Sequence, residues 1–425
     1  MKGLLRAAML TSVCVASLPA VAGGFINSSQ STVFNGMAYA GAAAPGSSSA
    51  ATMFMNPATM TGFPRLTIDT NYTFGVPTTK VNASSNSAAV NASFARTSGD
   101  IGMDYFAPAS YVIYPLTDRL VIGMSINGTY GNTTKPESRW LGSLFAATSK
   151  LRIITATPSV AYRINDWISV GAGLQIQYAS ARQYASWPGA PFTPVAGMVG
   201  IDNADGWGFG FTAGVTVTPW KGTQIGLGWR SGIDQTVSGT TRFGPFTSDS
   251  SKGTLNLPNR VNLSIRQTVT ERLDILGSIE WQNWGRIGNA ALKNPANPAL
   301  AVLPFAYRDG WFFSLGAEYK ATDSLTVRAG LGYEISPVSD AVRRFSLPDN
   351  DRLWLSAGLS YDWSNRLSIN ASYSYLHIKK APITQTLGTL VVNGESKADA
   401  HLFSIGLTSR WGEGIRKEEP LTRKY

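Results

Sequence analysis

The chain has 425 residues, of which only 15% are charged while 11% are aromatic and 43 are glycine, a mixture unlike a disordered chain or a helical bundle. Its 36 basic residues outnumber the 26 acidic ones for a formal charge of +10, but they are scattered without a cluster or stripe, so no nucleic-acid partner is expected. The single cysteine, Cys14, lies in the N-terminal leader, which excludes disulfides and thiolate metal sites from the mature chain.

That leader opens with Met1-Lys2 and Arg6, runs through an apolar stretch over 7–18, and reaches Ala20-Val21-Ala22 just before Gly23. It reads as a secretory signal over residues 1–22 with an A-x-A cleavage site. Removing Lys2 and Arg6 with it lowers the formal charge to +8. Beyond it no apolar run approaches the ~20 residues a membrane helix requires. The longest, around 299–306, is broken by Pro304.

Residues 23–64 do not alternate between apolar and polar. They are rich in Gly, Ala and Ser, contain Gly41-Ala42-Ala43-Ala44-Pro45-Gly46-Ser47, and end near Asn56-Pro57-Ala58. Their small side chains suit compact packing, so a plug in a lumen is expected rather than a disordered tail.

From residue 65 onward, strict alternation appears. Leu325, Val327, Ala329, Leu331, Tyr333 and Ile335 form one oily face, opposed by Thr326, Arg328, Gly330, Gly332, Glu334 and Ser336. Short polar turns recur at 114–120, 162–168, 319–325 and 361–367, with looser copies at 218–222 and 268–271. Their spacing of about 50 residues leaves room for two membrane-length strands and one long loop per repeat. Six turns join twelve strands, and 66–76 and 401–411 supply one more at each end. The expectation is therefore an all-β fold, a transmembrane antiparallel β-barrel of about 14 strands over 65–411, with a charged tail over 412–425. Tyr114, Tyr162, Trp167, Tyr319, Tyr361 and Trp363 at the turn edges would form the inner aromatic girdle.

Catalytic chemistry is poorly provided for. His377 and His401 are the only histidines, and both fall on the oily phase of their strands. There is no H-E-x-x-H, Walker loop or G-x-S-x-G elbow, and Gly206-Trp207-Gly208-Phe209-Gly210 sits in an alternating strand rather than opening a helix. No enzyme activity, metal or cofactor is expected.

Several segments together resemble the FadL family of outer-membrane transporters for long-chain fatty acids and other hydrophobic compounds. They are Phe34-Asn35-Gly36-Met37-Ala38-Tyr39-Ala40-Gly41, Asn56-Pro57-Ala58, Pro158-Ser159-Val160-Ala161-Tyr162-Arg163, Gly206-Trp207-Gly208-Phe209-Gly210, and Leu347-Pro348-Asp349 followed by Asp351-Arg352. The resemblance implies fourteen strands, an N-terminal hatch with an Asn-Pro-Ala box (Asn56, Pro57, Ala58), and location in the outer membrane of a Gram-negative bacterium. It further implies ligand-gated passive diffusion with sideways release beside a kinked third strand, here 120–130, with the kink at Tyr130 and Gly131. The partners are hydrophobic small molecules, either fatty acids or neutral hydrocarbons, and outer-membrane lipid, with the protein a monomer.

Within the hatch, Phe25, Ile26, Phe34, Met53, Phe54 and Met55 are the residues expected to touch ligand or gate, the alternative for each being packing against the wall. Arg182, after the fifth strand, is the candidate anchor for a carboxylate, whereas the region before the tenth strand offers no base until Arg308. Loops 132–149, 180–205 and 285–307 are the expected capture surfaces, with Trp140, Leu141, Leu144 and Phe145 either a greasy landing patch or packed against neighbouring loops. Family chains finish on a terminal aromatic, but here Trp411 ends the last strand and 412–425 follows. An outer-membrane lipid hydrolase using His377 with a rim serine, and an open porin, are the competing readings.

Overall fold

Residues 24–134, 140–145, 148–186, 198–243, 246–293 and 301–414 are described by a computed structural model. The expected leader over 1–22 and the Arg416-Lys417-Glu418-Glu419 run lie outside them. None of the described helices is long and apolar enough to cross a membrane.

The alternating segments become fourteen wall strands: β1 (Leu66–Ser85), β2 (Tyr105–Pro115), β3 (Leu120–Thr134), β4 (Thr148–Arg163), β5 (Ile168–Ser186), β6 (Met198–Trp220) and β7 (Thr223–Arg230). The second half comprises β8 (Arg260–Thr270), β9 (Leu273–Gln282), β10 (Gly310–Lys320), β11 (Leu325–Ile335), β12 (Arg352–Ser364), β13 (Leu367–Leu387) and β14 (Leu390–Trp411). Each pairs antiparallel with the next, and β14 returns to β1 from Leu66↔Trp411 to Ser85↔Val392, closing the ring. Closure gives every wall strand a partner on both sides, the condition for backbone to sit in lipid. Shorter strands over Thr97–Asp100, Asp234–Phe243, Phe246–Asn256, Asn289–Lys293 and Ala301–Pro304 extend the sheet at the loop end.

The distribution of apolar groups is inverted relative to a soluble sandwich. Leu315 is 60% exposed and Phe209 63%, whereas Arg328, Arg266 and Glu318 are buried inside. Glu318 accepts from both guanidinium groups, at 2.6 and 2.5 Å. Such charges face inward because only there do they find partners in place of lost water.

Five of the six short turns share one device. The side-chain oxygen of Thr117, Asn165, Thr270, Thr322 or Ser364 accepts from the backbone N–H three residues on, at 2.8–3.2 Å. This fixes a tight reversal before the next strand begins. The sixth, Trp220–Thr223, uses Gly222 at φ +84°. The aromatic residues at these turns, from Tyr114 to Trp363, are between 43% and 70% exposed on the outward phase.

Residues 24–63 are buried apart from Ser28, 45–48 and Gly62. They form the short helices α1 (Thr32–Asn35) and α2 (Thr52–Met55) and a 3-10 turn over Pro57–Gly62. Their backbone lies directly on inward-facing glycines of the wall. A Cβ on Gly226 would come within 1.8 Å of the Ala43 carbonyl oxygen, and one on Gly330 within 2.1 Å of the Met37 carbonyl carbon. Inward hydroxyls complete the contact: Gly41 N–H donates to Ser278 Oγ at 2.8 Å and Ala43 N–H to Ser264 Oγ at 3.0 Å.

Candidate functional site

The site grows from a fault in β3. Alternation along this strand ends at Asn127, after which every residue through Thr134 is buried. The β3–β4 register slips between Gly128 and Tyr130, leaving Thr129 as the extra residue of a bulge, just before the expected kink at Tyr130 and Gly131. On the other side β2 pairs with β3 only as far as Ala109↔Asn127, although β2 itself continues along β1 to Gly75↔Tyr105. Above Asn127, therefore, β3 has lost its β2 neighbour.

Those backbone groups are not left unsatisfied. Ile26 forms an antiparallel bridge with Tyr130, Gly131 N–H donates to the Phe25 carbonyl at 2.9 Å, and Asn27 N–H donates to the Thr129 carbonyl at 3.0 Å. The Gly128 carbonyl accepts from the side chains of Asn27 and Gln30, at 2.8 and 2.7 Å. The N-terminal segment thus substitutes for β2 in the ladder.

Around that bridge lies an aromatic cluster. Phe25 packs edge-on against Trp284 with centroids 4.8 Å apart and against Tyr130 at 6.1 Å, and Trp284 meets Tyr307 at 6.1 Å. Ile26, Leu151, Ile153, Ile233, Leu257, Ile287 and Val338 complete it. Burial raises the Tyr307 phenol pKa well above its ordinary value. The adjoining cavity, bordered by Gly24, Asn132, Asp349 and Arg352, measures about 80 Å³. This is far below the ~300–1,000 Å³ typical of small-molecule pockets, so the protein's own side chains occupy most of the apolar volume.

Deeper in the barrel, Phe54 lies beneath the Arg230 guanidinium at 4.2 Å and near that of Arg260 at 5.8 Å. Arg230 also donates to the Phe54 carbonyl at 3.0 Å and to Gln175 Oε1 at 2.5 Å. Met53 reaches toward Gly123 on β3, and the Met55 carbonyl abuts Gly228. Phe34 stacks on Tyr39, whose φ of +61° follows +47° at Ala38. Two consecutive non-glycine residues in the left-handed region carry backbone strain of roughly 1–3 kcal/mol each.

The Asn-Pro-Ala box has a structural logic of its own. Asn56 Oδ1 accepts from Ala58 N–H at 3.0 Å, capping the 3-10 turn, with Pro57 at its first position where no donor is needed. The Asn56 amide donates at 2.9 Å to both the Ala43 and Val215 carbonyls, tying two parts of the segment to β6. Ala58 sits against Gly171 of β5.

Arg182 is exposed, while its neighbour Ala181 packs against the aromatic cluster. The interior cation Arg230 escaped sequence reasoning, although its place on the polar phase of a short alternating strand was a usable signal. Trp140, Leu141 and Leu144 are buried, with Trp140 edge-on to Phe345 at 5.5 Å, so this group packs into the loops rather than presenting a landing patch. Parts of the three expected capture loops lie outside the described residues. His377 contacts Asp399 at 2.8 Å and His401 contacts the Tyr373 hydroxyl at 2.8 Å, both at the outward rim. Among the described residues no group of three or more His, Cys, Asp or Glu could hold a metal ion.

The chain is similar to known proteins over nearly its whole length. The profile described as "Outer membrane protein transport protein (OMPP1/FadL/TodX)" matches residues 12–411. The "Long-chain fatty acid transport protein" of Escherichia coli O6:H1 is 27% identical over 442 residues, covering 94% of this chain and 96% of that protein. "Outer membrane protein P1" of Haemophilus influenzae Rd is 25% identical, covering 96% and 99%. The crystal structure of a Pseudomonas aeruginosa FadL homologue superposes with a TM-score of 0.84 at 24% identity, covering 92% of this chain and all of that one. The match is to a transport family rather than to a hydrolase, and the chain belongs to the OMPP1/FadL/TodX family of outer-membrane transport proteins.

Proposed function

We propose that the protein takes up long-chain fatty acids or other hydrophobic compounds by ligand-gated passive diffusion, with residues 23–64 as a hatch in the lumen and lateral exit beside β3. The observation that carries this reading is the ladder of Phe25–Asn27 on Thr129–Gly131, made where β2 no longer pairs with β3. Withdrawing the N-terminal segment would vacate the volume now held by Phe25 and Ile26 and open the wall between β2 and β3 at the same stroke. One movement then creates both the pocket and the exit.

The energetics favour such a path over an aqueous pore. An oily solute gains roughly 25 cal/mol for each Å² of apolar surface that leaves water, in the pocket first and in lipid afterwards. A hatch packed against the wall at Gly226, Gly330 and Ser278 is also the main argument against an open porin. The name of the Escherichia coli relative supports a fatty-acid cargo. For its carboxylate, Arg182 at the loop end of β5 and Arg230 in the interior are candidate anchors, with Arg260 beside Phe54 and Arg352 at the cavity already paired to Glu280 and Asp349.

The test is a reversible lock. The mature chain carries no cysteine, and Ile26 and Tyr130 are directly opposed, the spacing at which a disulfide can form. Ile26→Cys with Tyr130→Cys should abolish uptake of a radiolabelled long-chain fatty acid when oxidised and restore it on reduction. Undiminished uptake by the oxidised form would overturn the hatch reading.

A further inference from the structure

Four lysines form a row across three adjacent strands on the outside of the barrel. Lys80 of β1 is the direct cross-strand partner of Lys397 on β14. On the other flank, the β13–β14 register slips between Ile378 and Ala381, which places both Lys379 and Lys380 opposite Lys397. The slip also turns two consecutive residues to the same side: Lys379 and Lys380 are 58% and 64% exposed. Without it, alternation would have sent one of them into the interior.

The row lies where the outward face changes character. Down β14 the outward residues are Lys397, Asp399 and His401, then Phe403, Ile405 and Leu407, and Phe403 packs against Tyr373 at 5.2 Å. The lysines are 12 to 14 residues above the periplasmic ends of their strands. At about 3.3 Å per residue and a tilt of roughly 40°, that is roughly 30–35 Å, just above an apolar band about 25 Å tall. The short turns mark the periplasmic end, so this level is that of the outer-leaflet head groups.

Two of the four are partly neutralised. Lys379 Nζ lies 3.3 Å from Asp351 and donates to the Tyr333 hydroxyl at 2.8 Å, and Lys380 Nζ lies 3.5 Å from Glu395. Among the described residues neither Lys80 nor Lys397 has a carboxylate within 4 Å. On its other flank Lys80 faces Asp100, but that carboxylate accepts from the Thr79 and Gly102 backbone N–H groups at 2.8 and 2.9 Å and makes no ion pair with Lys80. Like charges directly opposite on a sheet are destabilising, so an anion lying between Lys80 and Lys397 would relieve their contact. Arg308, 55% exposed and 3.9 Å from Asp351, adds a further cation at the same rim.

We propose that this row binds the phosphorylated head group of an outer-leaflet glycolipid, with its acyl chains lying on the apolar face around Phe74, Phe403 and Ile405. A phosphate bridging Lys80 and Lys397 converts their repulsion into two charge-assisted contacts, and the bulge supplies a third and fourth cation within reach. The site is independent of the transport route, which opens inside the wall at β3.

The test uses the purified full-length protein and native mass spectrometry with bisphosphorylated lipid A and its dephosphorylated form. Wild type should retain the bisphosphorylated lipid at least tenfold more strongly. The quadruple variant K80Q/K379Q/K380Q/K397Q should lose that preference, while K80R/K397R keeps it and K221Q/K320Q at the periplasmic turns leaves it unchanged. No preference in wild type, a preference that survives the quadruple substitution, or an equal loss in the periplasmic control would each overturn the assignment. Unaltered β-sheet circular dichroism of every variant separates lost binding from lost folding.

Discussion

Replacing Phe25 by alanine should loosen the N-terminal ladder without disturbing the barrel. Phe25 is 4% exposed and is held by the rings of Trp284 and Tyr130. Truncating a packed phenylalanine to alanine costs about 3–5 kcal/mol. Because residues 24–27 are held to β3 by local contacts outside the closed ring of strands, that loss falls mainly on local opening of the segment rather than on global unfolding. A loss of about 3 kcal/mol corresponds to roughly a 100-fold rise in the open population, at about 1.4 kcal/mol per factor of ten. The reporter is the Asn27 amide, whose hydrogen goes to the Thr129 carbonyl. Hydrogen exchange in detergent micelles should show its protection falling by about that factor, while amides along the β1–β14 seam keep theirs. Protection at Asn27 within threefold of wild type would refute the view that the aromatic cluster holds the segment in place.

Gly330→Val places side-chain atoms where the Met37 backbone lies, so residues 31–44 should become accessible to protease while the barrel keeps its heat-resistant gel migration. A fully protected segment in that variant would show that the wall yields instead. Asn56→Ala removes a cap and two amide bonds to the Ala43 and Val215 carbonyls. The cap alone is worth about 0.5–2 kcal/mol. Exchange should therefore quicken over 56–62 and uptake of hydrophobic compounds should change, and unaltered values for both would deny the box any part in holding the segment.

The wall was legible because two local codes coincide in it. Alternation marked each strand's outward face, and a Thr, Asn or Ser three residues before the next strand marked the turn whose hydroxyl or amide oxygen closes it. Strand ends were less legible. β1 runs to Ser85 and β14 starts at Leu390, well beyond the expected 66–76 and 401–411, because there the pattern inverts. Outward residues such as Lys80, Asn82 and Lys397 are polar while inward Val81, Ala83 and Val392 are apolar and buried, so the oily outward phase that marked the strands is lost although the hydrogen bonds continue. The ladder at Thr129–Gly131 was hidden for a different reason: backbone groups made it, and side-chain patterns do not report where backbone donors go. Inward glycines escaped notice for a related reason. Gly226, Gly316 and Gly330 carry no side chain for a pattern to register, yet each is a place where the N-terminal segment rests on bare backbone.

The seam between β1 and β14 has a consequence for the order of assembly. It pairs residues from opposite ends of the wall over twenty consecutive positions, so it can zip only after everything between them has been laid down. Residues 24–63 precede β1 in the chain yet rest on β5, β7 and β11 on its inner side. A ring already sealed would have to readmit them through an end or a breach. The simplest sequence lets the growing sheet curl around them, with the last strand arriving to close the wall over a part of the chain that was made first.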